Sequence, residues 1–62
     1  MSQYFNDYMA LCSTSELHDV AHAARDCERQ ARREGDSEMI SYHAWARFYA
    51  ERELRRRDAQ RA

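Results

Sequence analysis

This chain of 62 residues contains one glycine and no proline. Glycine and proline are the residues that most strongly disfavour a helix interior, and the glycine, Gly35, stands just past the middle of the chain. Hydrophobic residues make up 44 % of the sequence, and many of them are alanine, the strongest helix former. The composition therefore predicts a single all-α domain over residues 1–62, with one sharp turn at Gly35.

The first twelve residues have the spacing of a short amphipathic helix. Their apolar side chains recur one turn apart along one face, while Asn6, Asp7 and Ala10 fall on the other face. The apolar positions are Tyr4, Phe5, Tyr8, Met9, Leu11 and Cys12. We expect this helix to span residues 1–12.

A helix start follows directly after this segment. Ser13 and Glu16 have the spacing of a capping box, in which each side chain accepts a hydrogen bond from the other residue's backbone N–H. Cys12 and Leu17 flank the box at the positions of a hydrophobic staple. We therefore expect a second helix over residues 14–34.

The second helix carries apolar residues at alternating steps of three and four, which is the pattern of a heptad seam. These residues are Leu17, Val20, Ala24, Cys27 and Ala31. Because most of them are small, a helix that packs against this seam can come close.

The segment after the second helix has the order of a helix stop followed by a helix start. Gly35 suits the left-handed position that ends a helix, and either Asp36 or Ser37 can cap the next one. We expect the third helix to span residues 37–60. Because the connection is short, the second and third helices should run antiparallel as a helical hairpin.

The inward stripe of the third helix should face the seam of the second. Together these positions form the expected core of the hairpin or of a dimer: Leu17, Val20, Ala24, Cys27, Ala31, Met39, Tyr42, Ala46, Ala50 and Leu54. A seam so rich in alanine buries little apolar surface. The free energy gained from that burial is small compared with the conformational entropy lost on folding. We therefore expect a homodimer that resembles a four-helix bundle.

The third helix has apolar residues on a second face as well. At about 100° per residue, Trp45 and Phe48 point roughly 120° to 180° away from the middle of the inward stripe. Trp, Tyr and Arg are the residues that dominate interface hot spots. The candidate partner-binding set is Trp45, Phe48, Tyr49, Arg52 and Arg56. The N-terminal helix, a second protomer and a different protein are the three alternatives for covering this face.

The sequence offers little material for catalysis or metal binding. His18 and His22 lie four residues apart, as two metal-binding histidines on one helix do, but no third ligand stands at a diagnostic spacing. Cys27 lies in the seam, where we expect a buried thiol. The chain has neither a glycine-rich phosphate loop nor a nucleophile elbow. We expect neither an enzyme nor a bound metal or other cofactor.

Charge is distributed unevenly along the chain. The net charge is −1 at pH 7, which is not the electrostatic footprint of a nucleic-acid-binding protein. All ten basic residues are arginines and lie from Arg25 onward. Either GC-rich coding favours arginine, or an interface uses its planar guanidinium group.

From the pattern of the sequence we expect neither a membrane span nor a signal peptide. We therefore expect a protein of the bacterial host cytoplasm that makes no membrane contact. In that reducing compartment, Cys12 and Cys27 are expected to be thiols rather than a disulfide.

Roughly residues 14–57 are similar in organisation to small phage-encoded host-takeover proteins. The features that carry this resemblance are the helical hairpin, Gly35 and the aromatic-rich second arm. The resemblance is in particular to the phage anti-activators that block a LuxR-type quorum-sensing regulator and a pilus-assembly ATPase. It implies stoichiometric inhibition of a larger host protein by direct contact, and no residue's role is carried over.

The alternative is a resemblance in architecture to Rop-type plasmid copy-number regulators. It implies a dimeric RNA- or DNA-binding regulator. Nucleic acid is the less favoured partner, because Glu51, Glu53 and Asp58 interrupt the basic residues at the C-terminal end.

Overall fold

The computed structural model describes the backbone of residues 2–61 and the side chains of residues 6–61. Its described backbone forms three α-helices and no strand: α1 (Ser2–Leu11), α2 (Thr14–Glu34) and α3 (Ser37–Arg61). α2 and α3 pack against each other as a hairpin, so the predicted all-α class and hairpin are confirmed. The bounds of α2 are those expected, whereas α1 ends at Leu11 and α3 continues to Arg61.

Both ends of α2 have the caps that the sequence predicts. The Ser13 hydroxyl accepts a hydrogen bond from the Glu16 N–H at 3.1 Å, and the Glu16 carboxylate accepts one from the Ser13 N–H at 2.7 Å. The second bond, which favours the charged carboxylate, lowers the pKa of Glu16 below its usual value. At the other end, Gly35 adopts a left-handed conformation with φ of 70°.

The turn after Gly35 settles which residue caps α3. The Asp36 carboxylate accepts a hydrogen bond from the Met39 N–H at 3.2 Å, so Asp36 rather than Ser37 is the N-cap. The Asp36 N–H donates to the Ala31 carbonyl at 3.0 Å, which closes the end of α2. Two consecutive caps thus reverse the chain within two residues.

Small residues dominate the contact between α2 and α3. Within residues 6–61, the buried apolar side chains are Met9, Leu17, Ala21, Ala24, Ala31, Tyr49 and Ala50. Of the expected core, Leu17, Ala24, Ala31 and Ala50 are therefore buried as predicted. Val20, Ala46 and Leu54 are half-buried at its edge.

The expected burial of Cys27 is wrong for the hairpin. α2 turns Ala24, Glu28 and Ala31 towards α3 and leaves Cys27 in solvent as a free thiol. Glu28 is buried in its place because Arg32 and Arg47 neutralise its carboxylate, at 2.9 Å and 3.1 Å. These two hydrogen bonds also lower the pKa of Glu28, that from Arg32 most strongly.

Met39 and Tyr42 also lie outside the core of the hairpin, contrary to expectation. Both side chains are exposed, because α3 faces α2 through Ala46 and Ala50. Only a second copy of the chain or another partner would bury them.

α1 packs on α3 at the open end of the hairpin. Met9 joins Leu17, Ala21, Tyr49 and Ala50 in one buried cluster, so all three helices contribute to it. Cys12 packs against the edge of this cluster, where the hydrophobic staple places it. No helix within the described part of the chain is long and apolar enough to cross a bilayer.

Arg57 joins the three helices at this end. Its Nη2 group lies 2.7 Å from the carbonyl oxygen of Cys12 and 3.3 Å from those of Met9 and Ala10. The last carbonyls of a helix have no partner within the helix, and a guanidinium group both satisfies them and complements the helix dipole. Arg57 also donates to the Thr14 hydroxyl at 3.2 Å, at the start of α2.

The Arg57→Ala variant should therefore release α1 from α3. We expect a loss of about 2 kcal/mol in the free energy of unfolding, the size usual for hydrogen bonds to a charged group. Helicity should fall by up to the ten residues of α1. Circular dichroism during urea denaturation measures both quantities.

Arg61→Ala is the matched control, because Arg61 is mostly exposed and lies 3.8 Å from Asp58. It should change the free energy of unfolding by no more than about 0.5 kcal/mol. Equal stability of the two variants would show that Arg57 does not hold α1.

Candidate protein-interaction surface

Three aromatic side chains of α3 contact one another. The rings of Trp45 and Tyr49 stack, with centroids 5.7 Å apart and 16° between their planes. Phe48 meets both rings edge to face, at centroid distances of 6.4 Å from Trp45 and 5.2 Å from Tyr49. Such arrangements are those that the charge distribution of aromatic rings favours.

The three rings differ sharply in exposure. Tyr49 is 5 % exposed and belongs to the core cluster, whereas Trp45 and Phe48 are 52 % and 47 % exposed. The assignment of Tyr49 to the partner-binding set is therefore wrong, because α1 and α3 bury it together with Met9. Tyr49 instead contacts Trp45 and Phe48 from the side of the core.

Four large apolar side chains form a band that winds around the surface of α3. Met39, Tyr42, Trp45 and Phe48 follow one another at every third position, and all four are exposed. Steps of three residues drift by about 60° per step around a helix, so the band runs diagonally. We call these four residues the aromatic ridge. Sequence reasoning missed the ridge as a unit, although its regular spacing of three was visible.

Arg52 extends the ridge with a positive charge. Its side chain is exposed and makes neither a hydrogen bond nor an ion pair with any side chain of residues 6–61. Together with Asn6, Met9 and Tyr49 it lines a shallow groove of about 260 Å³ between α1 and α3. Arg52 is thus a cation available to a partner beside the exposed rings.

Arg56, the last member of the predicted set, is held inside the molecule's own ion-pair network. Its Nε lies 2.9 Å from Glu53, and its Nη2 contacts the second oxygen of the same carboxylate. Arg57 approaches Glu53 at 2.8 Å as well. The hydrogen bonds from Arg56 and Arg57 lower the pKa of Glu53 to about 2, although partial burial opposes them.

The histidines that the sequence places four residues apart lie on the exposed surface of α2. His22 lies 3.7 Å from Asp26 on the exposed surface of α2. Within residues 6–61, no group of three or more His, Cys, Asp or Glu side chains is placed to hold a metal ion.

Comparison of the chain with protein-family models, with curated protein sequences and with solved structures gave no match.

The low pKa of Glu53 predicts that the fold loses stability in acid. A carboxylate with a depressed pKa stabilises the fold above its unfolded pKa, near 4.5, and loses that effect as the pH falls towards about 2. Glu53→Gln should therefore lower the melting temperature at pH 7, and the difference from wild type should vanish near pH 2.

Melting curves of both proteins at several pH values between 7 and 2 measure this difference. The control is Glu38→Gln, which removes an exposed carboxylate in the first turn of α3. A deficit of Glu53→Gln that stays constant with pH would contradict the assignment of the ion pairs to Glu53.

Proposed function

We propose that this protein is a small protein-binding module that inhibits a larger bacterial protein by direct stoichiometric contact. The observation that supports the proposal is the part of the aromatic ridge formed by Trp45 and Phe48, two large side chains that are exposed and in contact with each other on α3. Contiguous exposed apolar patches mark interaction sites on small soluble proteins. The resemblance of the sequence to phage anti-activators suggests, as the target, a host regulator of the LuxR type or a pilus-assembly ATPase in the host cytoplasm.

The ridge is pre-organised for binding. Trp45 and Phe48 already contact each other and Tyr49, so little side-chain freedom remains to be lost in a complex. A partner that fits this surface has an apolar pocket with a carboxylate at its rim. Trp45 and Phe48 would fill the pocket, and Arg52 would pair with the carboxylate.

The same proposal includes a homodimer of the four-helix-bundle type. The chain exposes 4714 Å², whereas a compact monomer of 7.4 kDa exposes about 4,200 Å². Its radius of gyration is 12.2 Å, against about 10.6 Å for a compact chain of this length. A second copy that covers Cys27, Met39 and Tyr42 would remove much of this excess and leave Trp45 and Phe48 to the target.

The dimer predicts that the melting temperature rises with protein concentration. Light scattering at micromolar concentration should give twice the mass of 7.4 kDa. Tyr42→Glu places a charge on the proposed contact and should give a monomer. A mass of one chain, together with a melting temperature unchanged on tenfold dilution, would contradict the dimer.

The binding surface is tested by Arg52→Ala and Trp45→Ala. The target is first captured from a bacterial lysate treated with nuclease, purified, and titrated with each variant. Because truncating a hot spot costs at least about 2 kcal/mol, each variant should bind roughly thirtyfold more weakly than wild type. Circular dichroism and light scattering should show an unchanged fold.

Arg61→Ala again serves as the control, since it removes an exposed arginine of α3 away from the ridge. Its affinity should equal that of wild type. Wild-type affinity for both Arg52→Ala and Trp45→Ala would overturn the assignment of the ridge as the binding surface.

A further inference from the structure

One flank of α2 carries a row of basic side chains that the proposed protein contact does not use. His18, His22, Arg25, Arg29 and Arg32 follow one another at steps of four and three, and all five are exposed. These steps keep the side chains on one side of a helix. The row is about 21 Å long, at 1.5 Å per residue.

The row borders two grooves between α2 and α3. A groove of about 540 Å³ is lined on its α3 side by Arg55, Glu51 and Leu54. A second groove of about 280 Å³ has Arg47 on its α3 side. Arg25 lines both grooves, so they are neighbours along the hairpin. We call this surface the basic flank.

The carboxylates of the basic flank are recessed below its arginines. The side chains of Glu28 and Glu51 are 11 % and 24 % exposed, whereas those of Arg25 and Arg32 are 61 % and 64 % exposed. Glu51 accepts a hydrogen bond from Arg25 at 2.6 Å, and Glu28 accepts one from Arg32 at 2.9 Å. The carboxylates therefore orient the guanidinium groups, which are what an approaching ligand meets first.

The net charge of the whole chain does not reveal the positive charge of this surface. Five arginines and two glutamates line the two grooves, an excess of three positive charges with the histidines counted as neutral. Since the whole chain carries −1, the remainder carries −4 on the same count. Asp26 opposes the flank from its outer edge, 3.7 Å from both His22 and Arg29.

We propose that the basic flank binds the phosphate backbone of double-stranded nucleic acid without reading its sequence. A row of about 21 Å spans about six phosphates of one strand, at 3.4 Å per phosphate along the duplex axis. Among the residues that the structure describes, no Phe, Trp or Tyr lines either groove. Single-stranded binding uses such rings to stack bases, so their absence from these linings favours the duplex.

The proposal is independent of the protein contact, because the two surfaces use different residues. The aromatic ridge and Arg52 line neither groove. A protein with both surfaces can bind its target while it is held on nucleic acid.

The test is fluorescence anisotropy of a labelled 20-base-pair DNA duplex titrated with the full chain. We expect a micromolar Kd at 50 mM NaCl, and a slope of about −3 to −4 for the logarithm of the binding constant against that of the salt concentration. Arg29→Ala combined with Arg55→Ala should weaken binding at least tenfold and reduce the slope by about 2. Two duplexes of unrelated sequence should bind equally.

The charge-matched control is Arg52→Ala combined with Arg61→Ala, which also removes two arginines but leaves the linings of both grooves intact. This control should bind the duplex as wild type does. No binding at 50 mM NaCl, or equal losses in the two double variants, would overturn the proposal. So would saturable binding of polyglutamate without binding of the duplex, since the flank would then serve an acidic protein.

Discussion

The hydrogen bonds of the Arg57 guanidinium group hold α1 in its place beside α2 and α3, and the rest of the arrangement depends on them. The guanidinium group reaches the last carbonyls of α1, the start of α2 and the carboxylate of Glu53 on its own helix. Among the side chains of residues 6–61, Met9 is the member of the small buried cluster beneath it that comes from α1. A polar clamp therefore supplements a small core, as small domains commonly require.

The position of α1 divides the aromatic residues of α3 into two groups. Tyr49 is buried under α1 and becomes part of the core, while Trp45 and Phe48 stay exposed around it. In the grooves between α2 and α3, the recessed carboxylates of Glu28 and Glu51 orient the arginines of α2. Two chemically different surfaces thus follow from one hairpin, and we propose a protein partner for one and nucleic acid for the other.

Local sequence signals predicted the helices well, and distant contacts explain the errors. The capping box of Ser13 and the left-handed Gly35 act within a few residues, so they could be recognised directly. Glu28 was missed as a seam residue because its burial depends on Arg47, nineteen residues away. For the same reason the sequence could not show that α1 covers Tyr49 or that Arg57 reaches its carbonyls.

Trp45 is the only tryptophan in the chain, so its fluorescence reports directly on the aromatic ridge. The most direct test of the account is acrylamide quenching of this emission, in the free protein and in a saturated complex with its purified target. The account predicts a solvent-exposed indole with efficient quenching in the free protein, and a blue-shifted, protected indole in the complex. Equal quenching in both states, or an indole already shielded in the free protein at every dilution, would contradict it.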